Sequence, residues 1–222
     1  ERSRSWRNIS LKEIARNIAS RAGLSLYMIG KINPIYSIIE QTETSDSSFL
    51  SELCEQEGLA MKVTDYKIVI FDEREFEQRQ SVATYQEWNQ LVLNYSFNSS
   101  LSKTAYAGVN IKYYDPKRGR IIEFLYSLGD IDKEKDKIYQ LNKKVTSGEE
   151  AKRLAQKKLR QLNKREYRGT LTVVGNVNLL GGVCINLVGF GRFSGKYYIE
   201  QATHDFKGYT TTVQIRKVLE GY

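Results

Sequence analysis

One histidine, His204, is the chain's whole supply of imidazole. A His-rich zinc site is therefore excluded by number, and a Ser-His-Asp hydrolase would rest on that single side chain. His204 falls inside an alternating run near the C-terminus and reads as a strand residue making a hydrogen bond. Carboxylate pairs suited to acid–base work can be named, Glu52 with Glu55 and Asp130 with Asp132, but each reads as solvated surface charge. No CxxC, HExxH or GxSxG motif occurs. Gly189-Phe-Gly-Arg-Phe-Ser-Gly195 spaces its glycines like a phosphate loop. It lacks the Lys-Ser/Thr of such a loop and opens no helix, so it predicts a connection between strands. Cys54 and Cys184 sit in apolar surroundings and read as free buried thiols. A disulfide between them is not readable from spacing. The expectation is a chain with no catalytic residue, no cofactor-binding residue, no metal ligand and no enzymatic activity.

Charge is the sharper signal. The chain carries a net +8, and nearly all of it lies between Ala151 and Arg168. There Lys152, Arg153, Lys157, Lys158, Arg160, Lys164, Arg165 and Arg168 face Glu166 alone. Such a helix suits an acidic partner protein, an anionic membrane surface or a nucleic-acid backbone, or it is a solvated face above an apolar stripe. It has no interleaved aromatic rings to stack bases, which argues against nucleic acid as the partner. The eight residues form a candidate partner-facing surface. Tyrosine is abundant, 15 of 222 residues, with Tyr106, Tyr113, Tyr114, Tyr126, Tyr197, Tyr198 and Tyr209 in strand-like runs. These rings suit half-buried strand packing or protein–protein contacts.

The elements that must position these residues begin with a repeat. Ser10–Leu24 is echoed 35 positions later by Ser45–Leu59, with Ser10 on Ser45, Gly23 on Gly58 and Leu24 on Leu59. Ile14/Ala15 and Ile18/Ala19 fall on Phe49/Leu50 and Leu53/Cys54. Each copy predicts a capped helix, a glycine stop and a strand. Strands are also predicted over 35–40, and a hairpin over 59–63 and 67–71. Residues 1–75 thus form a small α/β domain, 76–90 a charged linker, and 91–222 a β-rich domain. In the last, strands are expected over 91–97, 106–114, 120–128, 170–175, 183–188, 196–206 and 209–218. Asp115–Gly119 is a turn, and 130–144 a mixed-charge crossing segment. A helix over 147–164 opens on the capping-box spacing Ser147-Gly-Glu-Glu150, and Lys207-Gly208 turns the final hairpin. The fold class is α+β. The composition, 41% hydrophobic and 27% charged, is that of a globular protein, with no apolar run of membrane-spanning length. The first residues, Glu1-Arg-Ser-Arg-Ser-Trp6, are polar and carry no Met or signal peptide. The chain reads as an excised or processed piece.

The segment Gly181–Thr212 orders a glycine-led strand, a Gly189-Phe-Gly191 loop, a Gly195-x-Tyr-x-Ile199 strand, His204 at a strand end and a Gly208-Tyr-Thr-Thr hairpin. In this it resembles the end of the phage late control protein D family, the baseplate hubs of tailed phages and related contractile particles. Ser10–Leu24, Gln41–Leu50, Glu57–Leu59 and the helix Ala151–Leu162 resemble the family's preceding parts. The resemblance implies a half-barrel-like, tube-forming β domain. It implies a homotrimer in which two similar β domains per chain make a pseudo-sixfold ring adapting the tail tube to the spike. The N-terminal β domain of that pair has no counterpart ahead of Ser10. The expected partners are tail-tube, spike and other baseplate proteins, with no membrane. The expected location is the virion tail or a phage-tail-like particle, after synthesis in the host cytoplasm.

Two rival readings remain. Ser10–Leu24 is also similar to the helix of a LysM repeat, which would make a peptidoglycan-binding or wall-hydrolysing module. LysM modules are compact βααβ units, and a strand after each Gly-Leu contradicts that order. The other rival is nucleic-acid binding through residues 151–168, which would weaken steeply with salt.

Overall fold

The structure, a computed structural model, describes residues 2–100, 105–115, 119–132, 135–143, 145 and 148–221. Among these the chain is α+β, with fourteen strands and four α-helices. It divides between Glu75 and Phe76 into two compact units.

The first unit holds β1 (Arg2–Ser10), α1 (Leu11–Arg21), β2 (Ser25–Ile29), β3 (Ile35–Thr44), α2 (Asp46–Gln56), β4 (Ala60–Val63) and β5 (Lys67–Phe71). The repeat is visible in the backbone. Ser10 and Ser45 are the N-caps, accepting from the N–H groups of Glu13 and Ser48, and Glu13 reaches back to complete the capping box. Gly23 and Gly58 take φ of +69° and +71°. The next residues, Leu24 and Leu59, donate to the carbonyls of Ala19 and Cys54, closing the same Schellman turn twice. Leu11, Ile14, Ala15, Ile18 and Ala19 on α1 and Phe49, Leu50, Leu53 and Cys54 on α2 bury against Ile68 and Ile70 of β5.

The repeat also reaches further upstream than the sequence pattern suggests. Each helix is preceded by a strand, and β1 pairs antiparallel with β3. Ser5 lies opposite Glu40, its own counterpart in the repeat, so a local two-fold passes through that pair. Strand β1 is hard to read in the sequence because only Trp6 and Ile9 among its nine mostly polar residues pack on the core. The Trp6 ring stacks on Phe49 at 5.3 Å. Strands β2 and β4 flank β5, the first parallel and the second antiparallel to it.

The symmetry extends to a strained position. Asn8 and Glu43, equivalent in the repeat, both sit at left-handed φ, 47° and 48°. Asn tolerates that conformation and Glu does not. Glu43→Asn, which copies the first half into the second, is therefore expected to stabilise this unit by about 0.5–1 kcal/mol. The urea midpoint should rise with an unchanged slope, and Asn8→Glu should lower it.

The second unit begins within α3 (Glu73–Glu77). It continues through β6 (Ala83–Gln86), β7 (Val92–Ser99), β8 (Gly108–Asp115), β9 (Arg120–Ser127), β10 (Ile138–Leu141), α4 (Gly148–Asn163), β11 (Tyr167–Val174), β12 (Cys184–Val188), β13 (Gly195–Asp205) and β14 (Thr210–Lys217). Six strands, in the order β6-β12-β13-β14-β11-β7, curl into a half-barrel. Its core holds Leu171, Val173, Val213, Ile215, Ile185, Leu187 and Ile199, alternating along their strands as the period of two requires. A second sheet, β10-β8-β9, packs its Val109 and Ile111 against Ala151, Leu154, Ala155 and Leu159 of α4.

Segments 76–90 and 130–144 hold strands that local periodicity did not reveal. In the first, β6 pairs in parallel with β12 and buries Tyr85; in the second, β10 pairs in parallel with β8. Both are four residues long, and their partners lie far along the chain. The Ser147 cap and the centre of the Asp115–Gly119 turn lie outside the described residues. In the last hairpin the left-handed residue is Tyr209, at φ 47°, rather than Gly208. Among the described residues no helix is long and apolar enough to cross a membrane.

Candidate functional site

Helix α4 turns its apolar stripe inward and most of its basic residues outward. Lys152 and Arg153 are exposed on its first turns, while Lys157, Lys158 and Lys164 are half-buried. The Lys158 ammonium donates to Gln161 Oε1 at 3.0 Å and lies 5.2 Å from the centre of the Tyr139 ring. Arg165 follows the helix and Arg168 stands on β11, both exposed.

Arg160 departs from the expected partner-facing surface. It is 8% exposed and donates to both oxygens of Glu77, at 2.6 and 2.7 Å. Glu77 Oε1 also accepts from Arg216 of β14 at 2.5 Å. The Arg216 guanidinium lies 4.6 Å from the centre of the Tyr198 ring, and its Nε is 3.5 Å from Glu200. One buried carboxylate thus joins the end of α3, the helix α4 and strand β14. This cluster is not legible in the sequence, because Glu77 lies in the charged segment 76–90 that reads as a linker. Helical periodicity gives no signal for Arg160, which stands about 180° around α4 from Ala151, away from the apolar stripe.

His204 Nδ1 lies 3.1 Å from Thr211 Oγ1 across the β13–β14 pairing. Glu52 and Glu55 are exposed on α2, and Asp130 and Asp132 are exposed in the loop after β9, where Asp132 pairs with Lys135 at 3.4 Å. Cys54 and Cys184 are free and buried. Burial, reinforced by Glu57 and Glu55, pushes the Cys54 thiol up to about 12, and burial raises Cys184 as well. Both are held as thiols, the unreactive form. Among the described residues no group of three or more His, Cys, Asp and Glu is placed to hold a metal ion.

The loop Gly189–Gly195 has a packing role. Its two phenylalanines clasp edge strand β7: Phe97 stacks on Phe193 at 5.1 Å and meets Phe190 edge-on at 5.5 Å. Tyr95 also stacks on Phe97 and meets Phe190 edge-on. The tyrosines divide between the two uses weighed for them. Tyr197 and Tyr198 are buried, and Tyr106 and Tyr126 pack half-buried on α4's core, while Tyr114 and Tyr209 are exposed. Phe206 in the last hairpin and Trp88 after β6 are 83% and 89% exposed.

The fold is thus a two-fold α/β unit followed by a unit with a curled six-stranded half-barrel and a helix-covered second sheet. The chain belongs to the phage tail baseplate hub (GPD) family, whose sequence model matches residues 1–210. A tail protein from Neisseria meningitidis MC58 has a similar structure, with TM-score 0.73 at 13% identity, covering 97% of this chain and 69% of that one. The 43 kDa tail protein of prophage MuSo2 from Shewanella oneidensis gives 0.70 at 14%, covering 95% and 65%. An E. coli component of the type VI secretion system gives 0.57 at 13%, covering 100% and 52%. This chain therefore spans about half to two thirds of the length of these relatives. No curated protein matches it.

Proposed function

We propose that this chain is the assembly part of a baseplate hub, adapting a tail tube to a central spike without catalysing a reaction. The observation that carries the reading is the open half-barrel. Its strand order ends at β6 and β7, and such edges offer backbone donors and acceptors to a neighbour. Large apolar rings stand exposed on the same unit, Trp88 after β6 and Phe206 and Tyr209 in the last hairpin. Family membership supports the same reading. The tail-tube protein, the spike and other baseplate proteins are the partners, within a homotrimer of the full-length protein. The place is the virion tail or a phage-tail-like particle, reached from the host cytoplasm. The exposed members of the basic surface, Lys152 and Arg153 among them, face a neighbouring subunit or solvent in this arrangement.

Deleting the gene from a producing strain is expected to abolish finished tails in electron micrographs. Complementation with the full-length protein should restore them. Normal, active particles from the deletion strain would overturn the proposal.

A further inference from the structure

The two copies of the repeat share one backbone and carry opposite charge. Residues 2–31 include seven basic residues and one acidic residue, Glu13. The equivalent stretch, 37–66, includes seven acidic residues and one basic residue, Lys62. The two stretches cancel, so bulk composition hides the separation. The charges lie mostly at the surface: Arg7, Lys12 and Arg16 are exposed on β1 and α1, and Glu40, Glu52 and Glu55 on β3 and α2. Arg21 and Asp46 meet between the helices at 3.0 Å. Partial burial works to raise the Asp46 pKa, but the hydrogen bonds from Gln41 and Arg21 and the charges of Arg21 and Arg2 lower it on balance.

We infer that the basic half of this unit docks on the acidic half of a second copy of the chain. A uniformly charged partner attracted to one half is repelled by the other. A second copy carries the complementary pattern, and the local two-fold through Ser5 and Glu40 gives both halves the same backbone shape. The docking elements are therefore matched in length and spacing as well as in sign. Exposed charges act over about 8–10 Å at ordinary salt, so the contact forms where the helices themselves approach. The inference rests on the assembly reading in that a hub brings several copies together.

The test uses the full chain in sedimentation velocity at low and high salt. The wild type is expected to self-associate, with affinity falling at least about tenfold as salt screens the charges. Lys12→Glu with Arg16→Glu should weaken association by a similar factor, as should Glu52→Lys with Glu55→Lys. All four changes together should restore it. Circular dichroism of each variant establishes that these exposed substitutions leave the fold intact; were one pair to unfold the unit, the other pair and the salt series would still decide. A chain that remains monomeric at low salt overturns the inference, as does association indifferent to salt and to both charge reversals. So does failure of a folded four-fold variant to regain association. Salt-indifferent association would leave the hub reading standing, because the half-barrel edges remain available for contact. Normal particles from the deletion strain would remove the hub reading alone.

Discussion

Glu77→Ala is expected to destabilise the unit from Phe76 onward by about 3–5 kcal/mol. Two guanidinium groups share this carboxylate, and all three side chains are buried, with Glu77 4%, Arg160 8% and Arg216 0% exposed. Removing the carboxylate leaves two positive charges facing each other out of water. Glu200 lies 3.5 Å from Arg216 Nε, longer than the contacts Glu77 makes. Glu77→Gln keeps one acceptor oxygen in place and should lose less. Arg160→Met removes one charge together with its desolvation cost, and should lose less than Glu77→Ala. Lys152→Ala, on the exposed side of the same helix, should change stability by no more than about 0.5 kcal/mol. Urea unfolding followed by circular dichroism checks the series. A loss below about 1 kcal/mol for Glu77→Ala would show that water reaches the cluster and that it does not hold α4 to β14.

Gly169→Ala should cost about 1–3 kcal/mol and loosen strand β7. Gly169 lies on β11 between Ile215 of β14 and Phe97 of β7. A Cβ built there would stand 2.4 Å from Phe97 Cδ1 and 2.7 Å from the Ser96 carbonyl oxygen. The ring could rotate, but the carbonyl belongs to the backbone and moves only with the strand. Displacing Phe97 also disturbs its stacking on Phe193 and its edge contact with Phe190, each worth about 0.5–1.5 kcal/mol beyond area burial. Gly129→Ala, where no atom of the described residues lies within 4 Å of the added Cβ and φ is not left-handed, separates this packing cost from the cost of losing a glycine. Faster amide exchange along β7 should accompany Gly169→Ala alone.

Much of the first unit was legible because its information is local. The Ser caps, the apolar faces and the glycine stops occur within single turns of helix, and the 35-residue echo shows each of them twice. The strand preceding each helix was harder to read. Strand β1 shows only Trp6 and Ile9 as apolar residues, and β3 continues past the expected Glu40 to Thr44. In the second unit the alternating strands were readable, whereas β6 and β10 were not. A four-residue strand held by a parallel partner distant in sequence has too few side chains to show a period.

The candidate surface shows the same limit. Eight basic residues in one stretch read as one surface, and seven of them are exposed or half-buried. The eighth, Arg160, is turned inward because a carboxylate 83 residues upstream is delivered to it by the fold. The residue types alone determined that this chain has one imidazole, a doubled α/β unit and a strand-rich tail resembling baseplate hubs. Those features follow from composition and from interactions between near neighbours. Which charge is solvated and which is buried, which glycine is crowded and which edge is open were decided by tertiary structure alone. Each depends on a partner brought in from a distant part of the chain.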